Sequence, residues 1–289
     1  MPSSEGTTEA VTLRRGLAAA LAAACPAALA RDIAVTGSVA RGLADAHSDI
    51  ELNFWVDGPE LPAGAARTAW LRDLGVEDLR TDSSPMPDAS WWSTFRWRGV
   101  WVEAGWQRTA DLDRSLADLL AVRAGGHAQR EMAWTIVGAL PLRDSGWLPG
   151  WKGRLADYPA GLAARVIEAN TSVWQHPQFL AVREALIARG ELFALNERLT
   201  WDLYNVLQCL FALNRMWDPD WKWLRAVVDE LPVKPRDLAA RVEAVVSGPR
   251  PEARLAACRG LMADTLALLP ETPGVLRAKQ ALASVGGRA

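Results

Sequence analysis

The chain is short of cysteine, has no long basic run and carries no apolar stretch of membrane-spanning length, and each shortage excludes something. Cys25, Cys209 and Cys258 are the three cysteines, far apart and odd in number. They have no metal-ligand spacing and sit in apolar, helix-like contexts, so they are expected to be buried free thiols in a reducing compartment. His47, His127 and His176 share no spacing and have no cysteine companions, which argues against a zinc site and leaves surface or capping roles. No run of about eighteen apolar residues occurs, so no membrane span is expected. Lysine and arginine total 32 against 34 acids, a net charge of -2. Without a basic tract, that balance argues against a nucleic-acid partner held by its phosphates. Internal repeats and low-complexity linkers are also missing.

What is present is an ordinary globular balance: 289 residues, half of them hydrophobic. That length allows one large or two modest domains, each with its own core. Tryptophan is abundant, at fifteen residues. Most are expected in core or interdomain packing, and a minority could line a pocket for a flat or sugar-like ligand. Near the start, Arg14 and Arg15 precede an alanine-rich run that resembles a secretion leader. Alanine is the strongest helix former, and Leu13, Leu17 and Leu21 repeat at i, i+4, so a helix is the better reading and a cytoplasmic location is expected.

The first half alternates strand and helix patterns. Strands are expected at 32–36 and 49–56, with a short helix at 39–43 between them. Pro62-Ala63-Gly64 opens a helix reaching about residue 74, and a short strand follows at 76–80. Residues 93–97 and 100–106 form a hairpin pattern joined at Arg98-Gly99, where glycine supplies the positive φ of a tight turn. Helical patterns follow at 112–122 and 129–136, then an apolar run at 137–142 and a turn at 144–146. Beyond about residue 151 the strand patterns stop. The stretch 192–217 lacks glycine and proline and is largely apolar all round, so it predicts a helix buried on most sides. The fold class expected is α+β, with a mixed α/β domain over 1–145 and an all-helical domain over 146–289.

The stretch TGSVARGLADAHSDIEL, residues 36–52, carries the chemistry. Side chains at i and i+2 of a strand point to one face, so Asp49 and Glu51 project together while Ile50 and Leu52 enter the core. Two adjacent carboxylates repel unless a cation lies between them. Mg²⁺ suits such a pair, because it completes its octahedron with water and phosphate oxygens. Gly37-Ser38, between a strand and a helix start, offers amides and a hydroxyl to phosphate oxygens. Arg41 and Gly42 lie one turn on, and Gly42 would let the chain turn back. The plainer alternative is an edge strand with a polar face and an ordinary turn.

Gly37-Ser38-Val39-Ala40-Arg41-Gly42 followed by Ser48-Asp49-Ile50-Glu51-Leu52 resembles the signature of the DNA polymerase β-type nucleotidyltransferase superfamily. Within it, the chain resembles the small bacterial aminoglycoside and lincosamide nucleotidyltransferases. The motif covers residues 37–52, and Glu51 stands where many relatives have Asp. The resemblance implies transfer of a nucleoside monophosphate, AMP from ATP being the commoner form, to a hydroxyl of a small molecule such as an antibiotic, with release of pyrophosphate. It implies Mg²⁺, as two ions, on Asp49 and Glu51, and a third carboxylate on a later strand. Glu103, the acid in the alternating stretch Val100-Trp101-Val102-Glu103-Ala104, is the candidate, as general base or metal ligand; an exposed strand acid is the alternative.

The resemblance also assigns Gly37, Ser38 and Arg41 to the triphosphate, together with Lys222, which otherwise reads as a solvated lysine between Trp221 and Trp223. Trp201, Asp202 and Asn205 fall where relatives contact acceptors. Glu191, Glu197 and Asp202 are the acids a cationic acceptor would use there, although surface helices often carry as many. Asn214 and Arg215 read as helix-capping or cross-linking residues. A monomer or homodimer fits equally. A protein- or RNA-directed nucleotidyltransferase of a regulatory or antitoxin-like system is the alternative function.

Overall fold

The computed structural model describes residues 4–86, 89–219 and 221–286. It divides into two compact units, Met1–Asp157 and Tyr158–Ala289. In chain order the first contains α1 (Ser4–Ala24), β1 (Asp32–Val35), α2 (Gly37–Arg41), β2 (Ile50–Val56), α3 (Gly64–Asp73) and β3 (Glu77–Thr81). These are followed by β4 (Trp91–Trp97), β5 (Val100–Arg108), α4 (Thr109–Leu120), α5 (His127–Gly138), β6 (Leu140–Arg143) and α6 (Trp147–Leu155). The expected alternation of strands and helices is present. The motif's short helix begins at Gly37, two residues earlier than its pattern suggested, and the following strand begins at Ile50.

The strands form one sheet in the order β3-β4-β5-β2-β1-β6. β2 and β5 run parallel, and the other pairs are antiparallel. At the β4–β5 hairpin, Arg98 (φ 50°) and Gly99 (φ 81°) are both left-handed, the conformation whose twist matches that of the flanking strands. Alternation then sorts the side chains. Ile50, Leu52, Phe54 and Val56 of β2 join Val102, Ala104 and Trp106 of β5 and Phe95 of β4 in a core closed by Leu17 and Leu21 of α1 and Leu71 of α3. Phe54 and Trp106 stack with centroids 4.6 Å apart. The opposite face carries Glu51, Asn53 and Trp55.

Two details of this unit differ from the sequence reading. Leu13 is 53% exposed and Arg14 turns inward instead. Eight residues at about 100° each rotate Leu13 roughly 80° away from Leu21, off the apolar stripe. The helical domain was expected to open at 146, yet α6 belongs to the first compact unit. The reason is packing: the Trp147 and Trp151 indole N–H groups both donate to Asp113 Oδ1, at 2.9 and 2.7 Å, and Trp147 lies 4.9 Å from Trp55.

The second unit comprises α7 (Ala160–Ser172), α8 (Pro177–Ala188), α9 (Leu192–Leu213), α10 (Leu224–Glu230), α11 (Leu238–Ser247), α12 (Pro251–Leu268) and α13 (Pro273–Gly286). No strand occurs among its described residues. α9 is its centre, packed on α7, α8, α11 and α12, with every residue from Asn205 to Ala212 buried. Its N-terminal half is less enclosed, since Phe193 and Trp201 are exposed. Asn214 ends it by donating to the Leu210 carbonyl and bridging to the backbone of Val233, which is the capping role anticipated for it. The three cysteines are free and buried, as expected. Among the described residues no helix is long and apolar enough to cross a membrane.

Candidate functional site

β2 and β5, the two parallel strands, carry the candidate acids. Their pairing begins at Ile50↔Val102 and places Glu51 directly beside Glu103. Neighbouring strands lie about 4.8 Å apart, so the two residues stand side by side on one face of the sheet. Both residues are half-buried. Asp49, also half-buried, stands one residue before the first pair, as Trp101 does on β5.

Glu51 reaches across to the junction of β1 and α2. Gly37 has φ +60°, and a Cβ there would fall 2.5 Å from Glu51 Oε2. Only glycine meets both demands, a left-handed backbone and a carboxylate against its α-carbon. The junction is braced from both strands. The Thr36 N–H donates to the Glu51 carbonyl at 2.9 Å, and Asn53 Nδ2 donates to Thr36 Oγ1 at 2.9 Å. Ser38 is buried, and its carbonyl accepts from the Leu43 N–H at 2.9 Å, below the left-handed cap Gly42.

The segment between α2 and Asp49 is clamped by α1. Buried Arg14 donates from Nε to the Ser48 carbonyl at 2.6 Å and from Nη2 to that of Ala46 at 3.0 Å. Arg15 takes the carbonyls of Val39 and Ala40 at 3.0 and 2.8 Å. The guanidinium fork satisfies carbonyls that no ladder reaches. The two arginines that resembled a leader are therefore fasteners of the motif. Asp45 completes the turn by accepting from the His47 N–H and the Ser48 hydroxyl. Partial desolvation raises its pKa, but those hydrogen bonds outweigh it and leave the carboxyl below its ordinary value.

Arg41 takes a different place from the one expected. Its guanidinium lies 3.5 Å over the Trp134 ring and donates to the Trp134 carbonyl at 2.8 Å. Gly138 makes room for it, since a Cβ there would overlap the guanidinium. Nearby, Lys152 donates to the Ala139 carbonyl, and burial, then the charge of Arg41, lowers its pKa. Arg41 thus fastens α2 to α5.

The remaining candidates belong to the second unit. Lys222 is exposed on the turn Trp221–Trp223. Trp201 is 55% exposed and lines, with Phe179, Arg183 and Arg198, a cavity of about 280 Å³. Asp202 is 1% exposed and committed to the interior. It pairs with Arg183 through both oxygens, at 3.0 and 2.7 Å, and accepts from Trp174 Nε1 at 3.1 Å. Burial pushes its carboxyl above the usual carboxylate range, against the pull of Arg183 and Trp174. Asn205 is buried as well. Of this trio, Trp201 alone is exposed to solvent.

Glu51 is therefore brought against Gly37 and into register with Glu103, and Asp49 precedes the first register pair by one residue. The sequence reading missed Asn53 and Thr94. Asn53 follows Glu51 by two positions and so shares its face, a signal available from alternation. Thr94 is the β4 partner of Glu103 and needed the register to be found. Among the described residues, no three His, Cys, Asp or Glu side chains group so as to hold a metal by themselves. Mg²⁺ does not require such a cage: one or two carboxylates suffice, with water and substrate phosphates as the other ligands. The in-register acids beside the Gly37 cradle fit that kind of donor set.

No family model matches the chain, and no curated protein does. Among solved structures it is similar to a nucleotidyltransferase-like protein from Exiguobacterium sibiricum 255-15, with 13% identity and a TM-score of 0.38. That similarity covers 95% of this chain and 89% of the other.

Proposed function

We infer that the chain is a Mg²⁺-dependent nucleotidyltransferase that moves a nucleoside monophosphate, AMP from ATP in the favoured form, to a hydroxyl of a small molecule. The observation carrying this reading is the placement of Glu51, in register with Glu103 and pressed against the bare α-carbon of Gly37. In this reading Asp49 and Glu51 hold the metal ions, and Glu103 either joins them or serves as base. Bound Mg²⁺ supplies charge neutralisation of the triphosphate and polarisation of its α-phosphoryl group. The Gly37 and Ser38 amides and the Ser38 hydroxyl hold phosphate oxygens. Arg41 is left out of that set because Trp134 engages it.

Glu103 accepts the proton of the acceptor hydroxyl. The acceptor oxygen then bonds to the α-phosphorus as the bond from that phosphorus to the bridging oxygen breaks, and pyrophosphate leaves with the electron pair. The test is pyrophosphate release from each NTP with Mg²⁺ and a panel of hydroxylated small molecules, with Asp49→Asn alongside. Acceptor-dependent release abolished by Asp49→Asn supports the reading. Release with protein or RNA only would transfer it to a macromolecular target, and absence of Mg²⁺·NTP binding would overturn it.

A further inference from the structure

On the open face Glu103 has Glu51 beside it on β2, while its neighbours along β5 and on β4 are aromatic, neutral or positive. On β5, alternation puts Trp101, Glu103 and Gly105 on one side, with buried Val102 and Ala104 on the other. Gly105 has no side chain, and the ring of Trp92 fills that seat: a Cβ on Gly105 would fall 2.8 Å from the Trp92 ring. Trp92 is the register partner of Gly105, and its indole N–H is fixed by Ser90 Oγ at 2.9 Å. At the other side of Glu103, Trp101 is 48% exposed. The Arg96 guanidinium stands 5.7 Å over its ring. Thr94 lies level with Glu103 between these two flanks.

We propose that this face, with Trp101 and Trp92 on either side of Glu103, is the seat of the acceptor, and that the acceptor is an uncharged aromatic alcohol. The inference rests on the nucleotidyltransferase reading and names the substrate class of that same site. A large indole left half exposed beside a candidate base is a stacking surface, and ring-on-ring contact favours a flat partner. The charge pattern selects against a polycation. The acids of the face, Asp49 level with Trp101 and then Glu51 and Glu103, are assigned to the metal and proton chemistry, and the charge on the β4 side of Trp101 is the positive Arg96. Of the three acids a cationic acceptor would have used in the second unit, Asp202 is held inside by Arg183, and Glu191 and Glu197 are exposed. The hydroxyl to be modified sits at Glu103, and the ring carrying it lies on Trp101.

The test uses the full chain with Mg²⁺ and ATP. Binding of Mg²⁺·ATP is measured first. Pyrophosphate release is then compared for phenols and benzylic alcohols, for polycationic amino sugars and for acyclic polyols. The expected result is turnover confined to the aromatic alcohols. Trp101→Ala should raise the acceptor KM about tenfold while leaving the KM for ATP unchanged, and Trp101→Phe should restore most of the loss. The exposure of Trp101 makes this substitution compatible with folding, and far-UV circular dichroism checks it. Trp92→Phe gives a second, milder variant. Preferred turnover of amino sugars or polyols, no turnover of any aromatic alcohol by a protein that binds Mg²⁺·ATP, or an unchanged acceptor KM in Trp101→Ala would overturn the proposal. A protein that fails to bind Mg²⁺·ATP overturns the nucleotidyltransferase reading and this one with it.

Discussion

The carboxylate of Glu51 rests on the α-carbon of Gly37, so that a methyl group there would lie 2.5 Å from Oε2. The contact joins the end of β1 to the middle of the acidic patch, and it exists only because position 37 has no side chain. Gly37→Ala must therefore displace Glu51 and also hold alanine at φ +60°. The backbone cost is about 1–2 kcal/mol. A misplaced carboxylate should lower Mg²⁺·NTP turnover about a hundredfold. Thermal unfolding and pyrophosphate release measured together check both parts. A variant that loses stability but keeps full turnover would remove Glu51 from the chemistry.

Glu103 and Glu51 stand side by side, but the proposed reaction asks different things of them. Glu103→Gln keeps the shape of the face while removing the base, so kcat should fall by about 10²–10⁴. Affinity for Mg²⁺·ATP should change little, whereas Glu51→Gln should weaken it. Titration of nucleotide into each variant, followed by single-turnover rates, separates the roles. Equal loss of nucleotide affinity in both would make Glu103 a metal ligand.

Arg41 links α2 to α5 through the ring and carbonyl of Trp134. A stacked and hydrogen-bonded guanidinium of this kind contributes about 1–2 kcal/mol. Arg41→Gln should lower stability by that amount in urea denaturation and leave Mg²⁺·ATP affinity within about twofold, because Trp134 engages its guanidinium. Unchanged stability with lost nucleotide affinity would return it to the triphosphate.

How far the sequence could be read follows from what each residue's environment depends on. The strand with Glu51 was legible because two-residue alternation is local, and the Arg98-Gly99 turn because Gly99 readily supplies a positive φ. Glu103 was found the same way, though its pairing with Glu51 needed the register across two parallel strands distant in sequence. The helix holding Arg14 and Arg15 was legible but their task was not, because their partners are carbonyls of residues 39–48, invisible in any helical pattern. Asp202 misled. An acid on a long helix reads as surface, and only Arg183 and Trp174 arriving from other segments show that it is interior. The first compact unit runs on in the chain through α6, and that helix was drawn to it by indole bonds to Asp113.

The thiols give a simple check on burial. Burial raises all three, Cys25 to about 11 despite the opposing charge and hydrogen bond of Arg143, and Cys209 and Cys258 further still. Thiolate is the reactive form. At pH 8 the native chain should therefore react with a thiol reagent far more slowly than the unfolded chain, which should titrate three groups. Fast labelling of a thiol in the native protein would contradict the interior placement of that residue.

The Asp202–Arg183 pair distinguishes interior structure from substrate recognition. Both side chains are almost fully buried, at 2% and 8% exposure, and the bond is bidentate. Removing one charge strands the other in a medium that solvates it poorly. Asp202→Ala should therefore destabilise the second unit by about 3–5 kcal/mol. Replacing both, with Arg183→Met and Asp202→Leu, removes the stranded charge and should recover most of that loss. Urea midpoints of the single and double variants measure the two effects, and their difference is the coupling between the residues. If Asp202 instead served an acceptor, the single variant would fold with near-normal stability and lose acceptor affinity, and the second change would restore nothing. Recovery of stability in the double variant, with acceptor KM close to that of the parent, would fix the pair as part of the scaffold of α8 and α9.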